Sequence, residues 1–383
     1  MSSPPTPAQA SALGSAPAKA GLILTVLILG ATVANINTSI SNVALPSIAS
    51  ALNATDTELT GITDAYQLGI AATVLYLGAV GDRYGRKGML LLGALLCVPF
   101  SLASAWSPNA VFLIVAQIAV GVAGGMLYPT TLSMITALWR GKKLTGAIAL
   151  WTGLGTGASV LGPIMGGYLL DNYWWGSVFL ITVPFALLVL VMGAIILPRS
   201  RAAEKAPVDH AGGSLSVVMI SSFVLGIVML PQGITITVAI LFAVTLVSGT
   251  LFVWRQKRAP NPLFDLELAA VPTFWVAFVA GLVAFGALVG AMFIGQQFTQ
   301  NVLRYTPLHA VLLTLALALG MLPASVFAGK LIGKRGTRFT FIIGLAFIAI
   351  GFVEMLITWR AGTAEVWVVL AYLLVGIGIG MAA

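Results

Sequence analysis

The chain has 383 residues, of which 59% are hydrophobic and only 8% are charged. Soluble globular domains are about half apolar and about a quarter charged, so this composition excludes a soluble enzyme or binding domain. The formal net charge of +8 could suggest nucleic-acid binding. Its basic residues, however, are spread over short loops between long apolar segments, and we therefore exclude a nucleic-acid partner.

The apolar segments have the length of membrane-spanning helices, which need about 20 mostly apolar residues. In chain order, the predicted spans are 22–43, 61–79, 88–107, 110–137, 144–169, 175–197, 214–231, 235–254, 272–298, 308–332, 338–358 and 365–383. We therefore expect an all-α polytopic protein of the plasma membrane, as in a bacterial cell membrane, with the lipid bilayer as a partner.

The Lys and Arg residues alternate along the chain. Of the 19, all but Arg304 and Arg360 fall in the N-terminal tail or in every second loop. Loops rich in Lys and Arg face the cytoplasm, so the pattern predicts a cytoplasmic N-terminus. Residues 1–20, rich in Ser, Pro and Ala, are predicted to form a disordered cytoplasmic tail. The single cysteine, Cys97, excludes an intramolecular disulfide.

The densest group of charges lies between the second and third spans, in the sequence GAVGDRYGRK from Gly78 to Lys87. Small residues let two helix ends approach closely, and charges at the membrane surface can form an ion-paired latch. A generic basic loop with a turn glycine is the plainer alternative. The residues predicted to act in gating are Gly78, Asp82, Arg83, Gly85, Arg86 and Lys87.

A weaker copy of this loop, GKLIGKRGTR from Gly329 to Arg338, lies between the tenth and eleventh spans. If each copy joins the second and third helices of a six-helix half, spans seven and eight form an inserted hairpin. The predicted divisions are the tail (1–20), the first half (21–198), the linker and hairpin (199–260) and the second half (261–383). The second half then holds four of six helices, and we expect two helices to be missing.

The spacing G-x-x-x-D-R-x-G-R-K resembles the signature loop of the major facilitator superfamily. Within that superfamily, the chain resembles the 14-span drug:proton antiporters, particularly exporters of quaternary ammonium compounds of the QacA type. Asn42 to Pro46 (NVALP) resembles the end of the family's first span, and Gly162 to Gly167 (GPIMGG) resembles the core of its antiporter motif.

This resemblance implies the major facilitator fold and a secondary transporter that works by alternating access. The expected activity is multidrug efflux, in which a lipophilic cationic small molecule leaves the cell in exchange for protons. We expect a monomer that is not an enzyme and needs no cofactor. Neither a phosphate-binding G-x-x-x-x-G-K-[ST] loop nor a cluster with metal-ligand spacing occurs in the sequence.

Several positions depart from the family's pattern. Asn37 stands where the family usually has Asp, Gln117 where it usually has Arg, and Thr182 where it usually has Asn. The two lost charges are thought to act together in proton coupling. Because both are neutralised, the pair can persist as an amide contact that does not titrate. The alternatives are a facilitator that is not coupled to protons, or an inactive truncated remnant.

Two carboxylates within spans are candidates for proton coupling or substrate binding, since an intramembrane ionisable residue indicates function by default. Asp64 lies about one turn into the second span, and its alternative is a solvated residue at the outer mouth. Glu354 lies in the eleventh span. Its alternatives are a structural pair with a neighbouring helix and a place near the outer boundary.

Polar side chains at helical spacing are predicted to line a central cavity, with hydrogen bonding between helices as the alternative. The predicted cavity-lining residues are Asn35, Thr38, Asn42, Tyr66, Gln296, Gln297 and Gln300. In the fifth span, the antiporter-motif residues are Gly162, Pro163, Gly166 and Gly167. Close helix packing explains those glycines equally well.

Overall fold

The computed structural model describes residues 19–198, 207–264 and 266–382. Apart from its last two residues, the predicted tail lies outside this part of the chain. Twelve long helices occur within the described residues: α1 Ala20–Leu52, α2 Asp56–Tyr84, α3 Arg86–Ala105, α4 Ala110–Leu138, α5 Gly141–Asn172, α6 Thr182–Ile196, α7 His210–Met229, α8 Ile236–Gln256, α9 Pro272–Gln297, α10 Pro307–Arg335, α11 Thr337–Thr358 and α12 Glu365–Ala382.

Each predicted span falls on one of these helices, and ten segments are long and apolar enough to cross a membrane. The full lengths of α2 and α5 do not meet that criterion among the described residues. Helix α2 is richer in glycine, threonine and charged residues than α1 and α3. The sixth span also differs from the prediction, since it begins as a 3-10 helix, Trp175–Ile181, before α6.

Helix α2 begins five residues before the predicted span because a capping box defines its start. The Thr55 hydroxyl accepts from the Glu58 amide, and the Glu58 carboxylate accepts from the Thr55 amide at 2.8 Å. These hydrogen bonds from the Thr55 amide and hydroxyl hold the pKa of the Glu58 carboxyl below its usual value. Apolarity alone could not locate this polar first turn.

The contacts divide the chain into two compact units, Met1–Leu266 and Glu267–Ala383. In the first unit, α1 packs against α4, α5 and α6, while α3 packs against α4 and α6. Helices α7 and α8 form a hairpin, and α7 also packs against α2. The hairpin therefore belongs by its contacts to the first unit, and the predicted domain boundaries stay predictions.

The closest helix contact of the first unit is between α2 and α4. At their crossing, a Cβ atom added to Gly121 would lie 2.3 Å from the Tyr66 carbonyl oxygen, and one added to Gly69 would lie 2.4 Å from that of Ile118. Neither position can hold a larger residue without separating the helices. The register of α2 and α4 at this crossing determines which of their polar residues, described below, lie at the same depth in the helix bundle.

In the second unit, α12 packs against α9, α10 and α11. Its contact with α10 again depends on a glycine, since a Cβ atom on Gly376 would lie 2.2 Å from the Leu317 carbonyl oxygen. Helix α9 continues into a π-helical segment, Phe298–Val302. Such segments interrupt the regular hydrogen-bond ladder and occur frequently at functional sites. A short helical turn, Leu266–Ala269, precedes α9.

Candidate transport site and gating loop

The charged loop between α2 and α3 joins three helices through the carboxylate of Asp82. Its Oδ1 accepts a hydrogen bond from Arg86 Nε at 2.6 Å and one from Ser133 Oγ, on α4, at 2.5 Å. Asp82 thus links the end of α2 to the start of α3 and to α4. The ion pair predicted for this loop is present, while its role in gating stays a prediction.

Lys87 joins the same loop to a fourth helix. Its Nζ donates to the carbonyl oxygens of Ala194 and Leu197, both at 2.7 Å, at the C-terminus of α6. The C-terminal carbonyls of a helix lack intrahelical partners and carry partial negative charge, so a lysine there is favourable. Gly85 makes the turn at a φ of 130°, a conformation that favours glycine.

The other predicted loop residues are packed close to this junction. A Cβ atom on Gly78 would lie 3.3 Å from Pro129 Cβ, which places the last turns of α2 against the middle of α4. Arg83 is half-buried and takes part in a further polar or ring interaction. Together, these residues make the loop a junction of α2, α3, α4 and α6.

Asn37 is buried, with 3% of its surface exposed, and both ends of its side chain have partners. Its Nδ2 donates to the Val33 carbonyl oxygen at 3.0 Å, and its Oδ1 accepts from Thr182 Oγ1 at 3.0 Å. The expected amide pair with Gln117 is therefore wrong as a hydrogen bond. The partner is instead Thr182, another residue that departs from the family's pattern.

Gln117 has no hydrogen-bond partner among the described residues, although only 1% of its surface is exposed. Its height in the bundle follows from the helix crossing, because Gly61 meets Ile114 and Gly69 meets Gly121. Gln117 consequently lies level with Asp64 and Ala65, just before Tyr66. Leaving a buried amide without a partner costs about 1–3 kcal/mol.

Tyr66 connects this layer to α1. Its hydroxyl donates to the Ala34 carbonyl oxygen at 2.7 Å, and the whole side chain is buried. Tyr128 and Trp151 contact each other with ring centroids 5.1 Å apart, and Trp151 Nε1 donates to Thr131 Oγ1 at 3.1 Å. These aromatic residues therefore pack inside the first unit.

Asp64 lies on α2, two residues before Tyr66. Two residues correspond to about 200° around a helix, so Asp64 lies on the side of α2 away from α1. It is half-buried and makes no hydrogen bond or ion pair with the described residues. The structure thus places Asp64 on a different side of α2 from Tyr66, whose hydroxyl bonds to α1.

The predicted polar stripes form hydrogen bonds mainly within their own helices. Asn35 Nδ2 donates to the Ala31 carbonyl oxygen at 2.9 Å, and Thr38 Oγ1 donates to that of Ala34 at 3.3 Å. In α9 and the π-helical segment, Gln300 donates to Gln296 at 2.6 Å and Asn301 donates to Gln297 at 2.5 Å. Of the predicted cavity-lining residues, Tyr66 makes a hydrogen bond between helices, to the Ala34 carbonyl oxygen, and cavity lining stays a prediction. The side chain of Asn42 lies outside the described residues.

The antiporter motif is only partly described. Gly162 and Gly166 are buried, while a Cβ atom on Gly167 would meet nothing within 4 Å. The side chain of Pro163 lies outside the described residues. The proposed role of this segment in exchange therefore stays a prediction.

Glu354 lies one turn before the end of α11 and is half-buried. Its Oε1 accepts from Thr358 Oγ1 at 2.8 Å, and its Oε2 is buried with no partner among the described residues. Next to Thr358, the ring of Trp359 stacks on Phe298 with centroids 4.7 Å apart. Trp359 Nε1 is also buried without a partner. The alternative of a structural pair with a neighbouring helix receives no support from these contacts.

Sequence reasoning missed a polar cluster at the base of the hairpin. Asp209, just before α7, accepts hydrogen bonds from Arg255 Nε at 3.1 Å and from Gln256 Nε2 at 3.3 Å. The signal was available in part, because Asp209 precedes a helix start and is a favourable N-cap residue. Its partners lie nearly fifty residues away, and no local pattern could reveal them.

Comparison with known proteins identifies the class of protein. The sequence profile of the Major Facilitator Superfamily matches residues 27–383, so the chain belongs to that superfamily. It is a multi-span membrane transporter and not an enzyme. Solved structures agree in fold: the proton:xylose symporter XylE, bound to 6-bromo-6-deoxy-D-glucose, has a TM-score of 0.67 at 14% identity. The similarity covers 94% of this chain and 80% of XylE.

The similar curated proteins are drug-resistance and efflux proteins. The multidrug efflux pump LfrA of Mycolicibacterium smegmatis is 34% identical over 95% of this chain and 73% of LfrA. The methyl viologen resistance protein SmvA of Salmonella typhimurium is 30% identical over 88% of this chain and 69% of SmvA. The multidrug resistance protein Stp of Mycobacterium tuberculosis is 29% identical over 89% of this chain and 63% of Stp. The chain therefore spans between 63% and 73% of the length of these three relatives.

Proposed function

We propose that this transporter exports lipophilic cationic drugs across a bacterial plasma membrane in exchange for protons, as a monomer with its N-terminus in the cytoplasm. The observation that carries the proposal is the 34% identity to the multidrug efflux pump LfrA over 95% of the chain. The similarity to a methyl viologen resistance protein supports the substrate class, because methyl viologen is an organic dication. The alternation of basic loops supports the orientation.

Asp64 is the carboxylate that we assign to proton exchange. It is half-buried in α2 and has no ion pair with the described residues, so no fixed cation competes with a proton for it. A lipophilic cation that displaced the proton from the same carboxylate would couple the two movements directly. Glu354 is then available for a different task, such as substrate binding.

A facilitator that is not coupled to protons is the second candidate. The hydrogen bond between Asn37 and Thr182 favours it, because a neutral pair occupies the place of a charge usually linked to coupling. Neither side chain of this pair changes its charge over the physiological pH range. The two candidates therefore differ on one point, the dependence of transport on a proton gradient.

The test measures transport of ethidium into everted membrane vesicles from efflux-deficient cells that express this chain. Vesicles energised with a proton gradient are compared with vesicles treated with an uncoupler. Asp64→Asn is compared with Asp171→Asn, which alters an exposed aspartate at the end of α5. We expect uncoupler-sensitive uptake that is lost in Asp64→Asn and kept in Asp171→Asn.

If the uncoupler does not change ethidium uptake, the proposed proton exchange is wrong and the uncoupled facilitator is favoured. If uptake in Asp64→Asn is still sensitive to the uncoupler, Asp64 is not the proton-coupling residue. If the vesicles show no uptake although the chain is present in the membrane, the proposed export is wrong for this chain.

A further inference from the structure

We propose that Gln256 is a positioning residue that holds the connection between the two units in one conformation. The connection, defined as residues 257–264, leads from the end of α8 toward the second unit, which begins at Glu267. Gln256 is the last residue of α8, and only 3% of its surface is exposed. It is thus a buried amide at the point where the chain leaves the hairpin.

The amide oxygen of Gln256 holds the far end of the connection. Its Oε1 accepts from the backbone amide of Leu263 at 2.6 Å and from that of Phe264 at 3.1 Å. The chain therefore leaves α8 and returns to the last residue of that helix. Two hydrogen bonds to one oxygen restrict both the position and the direction of the segment that follows.

The amide nitrogen of Gln256 is held in turn by Asp209. Its Nε2 donates to Asp209 Oδ2 at 3.3 Å, while Arg255 Nε lies 3.1 Å from Asp209 Oδ1. The same Oδ1 accepts from the Gly212 amide at 3.0 Å and so caps α7. Asp209 is itself buried, with 6% of its surface exposed. The bond to Asp209 orients the Gln256 amide so that its nitrogen points toward Asp209 and its oxygen points toward the connection.

The base of the hairpin is fixed to the rest of the first unit at α2. Nδ1 of His210 lies 2.8 Å from the Tyr76 hydroxyl, and a Cβ atom on Gly213 would lie 2.1 Å from the Tyr76 ring. Tyr76 stands two residues before Gly78, at the start of the charged loop. A continuous chain of contacts therefore runs from α2 through Asp209 and Gln256 to Phe264.

Glutamine fits this place because its amide supplies an acceptor and a donor on one rigid plane. A carboxylate would keep the acceptor but would face Asp209 with a like charge, and an apolar side chain would lose both bonds. Transporters of this fold work by moving one bundle against the other. A connection held at Leu263 and Phe264 has fewer accessible conformations than a free segment of eight residues.

The consequence for transport rests on the proposed function, but the hold on the connection does not. Hydrogen–deuterium exchange of the purified chain measures the hold directly, through the peptide that contains Leu263 and Phe264. We compare Gln256→Met, which has similar length and no amide, with Gln67→Met, which alters an exposed glutamine on α2. In Gln256→Met, we expect exchange of this peptide to rise about tenfold or more, since two hydrogen bonds are lost.

Gln256→Glu tests whether a rise in exchange comes from the lost oxygen acceptor or from a general packing defect. It keeps an oxygen acceptor for Leu263 and Phe264 but replaces the bond to Asp209 by a repulsion between carboxylates, so we expect protection between that of the unaltered chain and that of Gln256→Met. Peptides from the loop at Gly85 should exchange as in the unaltered chain in all variants. Unchanged protection of residues 257–264 in Gln256→Met would overturn the proposal, as would an equal rise in exchange throughout the first unit.

The transport arm compares maximal rate with substrate affinity. We expect Gln256→Met to lower the maximal rate of ethidium uptake several-fold and to leave ethidium binding unchanged, because the residue lies outside the proposed binding residues. A normal maximal rate together with lost protection would overturn the positioning role. If the unaltered chain does not transport, the proposed function fails, while the exchange result still decides whether Gln256 holds the connection.

Discussion

The hydroxyl of Thr182 donates a 3.0 Å hydrogen bond to Oδ1 of Asn37, and both residues are buried. Each residue departs from the pattern of the drug:proton antiporters that the chain resembles, and the two departures are in direct contact. The bond links α1 to the start of α6. The neutral amide at position 37 thus has a neutral partner, the Thr182 hydroxyl, across the helix interface.

Thr182→Val should destabilise the first unit, because it removes this donor and leaves Asn37 Oδ1 buried without it. Hydrogen bonds between membrane helices contribute about 0.6 kcal/mol on average and at most about 1.7 kcal/mol. The melting temperature in detergent, followed by tryptophan fluorescence, should fall accordingly. Thr250→Val is the control, since the Thr250 hydroxyl is bonded only to carbonyls of its own helix. Equal melting temperatures for both variants would contradict a stabilising role for the pair.

Lys87→Met should weaken the contact of the charged loop with α6. The variant keeps the length of the side chain but loses two hydrogen bonds to the carbonyls of Ala194 and Leu197. Charge-assisted bonds at a helix C-terminus suggest a loss of about 1–2 kcal/mol. Thermal unfolding is the measurement, with Lys143→Met as the control at an exposed lysine near the start of α5. A loss of the same size in both variants would indicate a general effect of charge.

The elements of the fold were largely predictable because each depends on a local pattern. All twelve predicted spans fall on helices, since apolar length is sufficient to recognise a helix that crosses a bilayer. The start of α2 was missed because it depends on the polar capping box at Thr55. The 3-10 segment at Trp175 was also missed, since no apolar pattern distinguishes it from an α-helix.

The candidate site was less predictable, because its contacts join residues that are far apart in sequence. The resemblance to the drug:proton antiporters suggested that Asn37 and Gln117 form a pair. The bond from Asn37 to Thr182 spans 145 positions, and it depends on where α6 begins. Likewise, the angle between Asp64 and Tyr66 around α2 follows from the sequence. It shows which side of α2 Asp64 occupies only once the structure shows that Tyr66 points toward α1. Side-chain direction in a bundle is set by packing, which a single sequence does not contain.

Gly213→Ala should detach the base of the hairpin from α2. The added methyl group would clash with the ring of Tyr76, so the ring or the two helices must shift. A double-mutant cycle with Tyr76→Ala tests this cause, because removing the ring removes the clash. We expect Gly213→Ala to lower the melting temperature strongly in the unaltered background and much less in the Tyr76→Ala background.

Gly281→Ala is the matched control for the hairpin, since a Cβ atom at that position of α9 meets nothing within 4 Å. It should leave the melting temperature near that of the unaltered chain. Additive effects of Gly213→Ala and Tyr76→Ala would show that the contact between α7 and α2 does not contribute to stability.

Glu354→Gln should weaken substrate binding without unfolding the second unit. Glutamine keeps an oxygen that can accept from Thr358, whereas the negative charge of the carboxylate is lost. A cation held by this carboxylate would lose about 1–2 kcal/mol, or roughly five- to thirtyfold in affinity. Ethidium uptake into everted vesicles should show this as a higher KM with unchanged sensitivity to the uncoupler.

Glu365→Gln, at an exposed carboxylate paired with His309, is the control. If uptake by Glu354→Gln instead ignores the uncoupler at an unchanged KM, then Glu354 acts in proton coupling and Asp64 is not the sole carboxylate for that task.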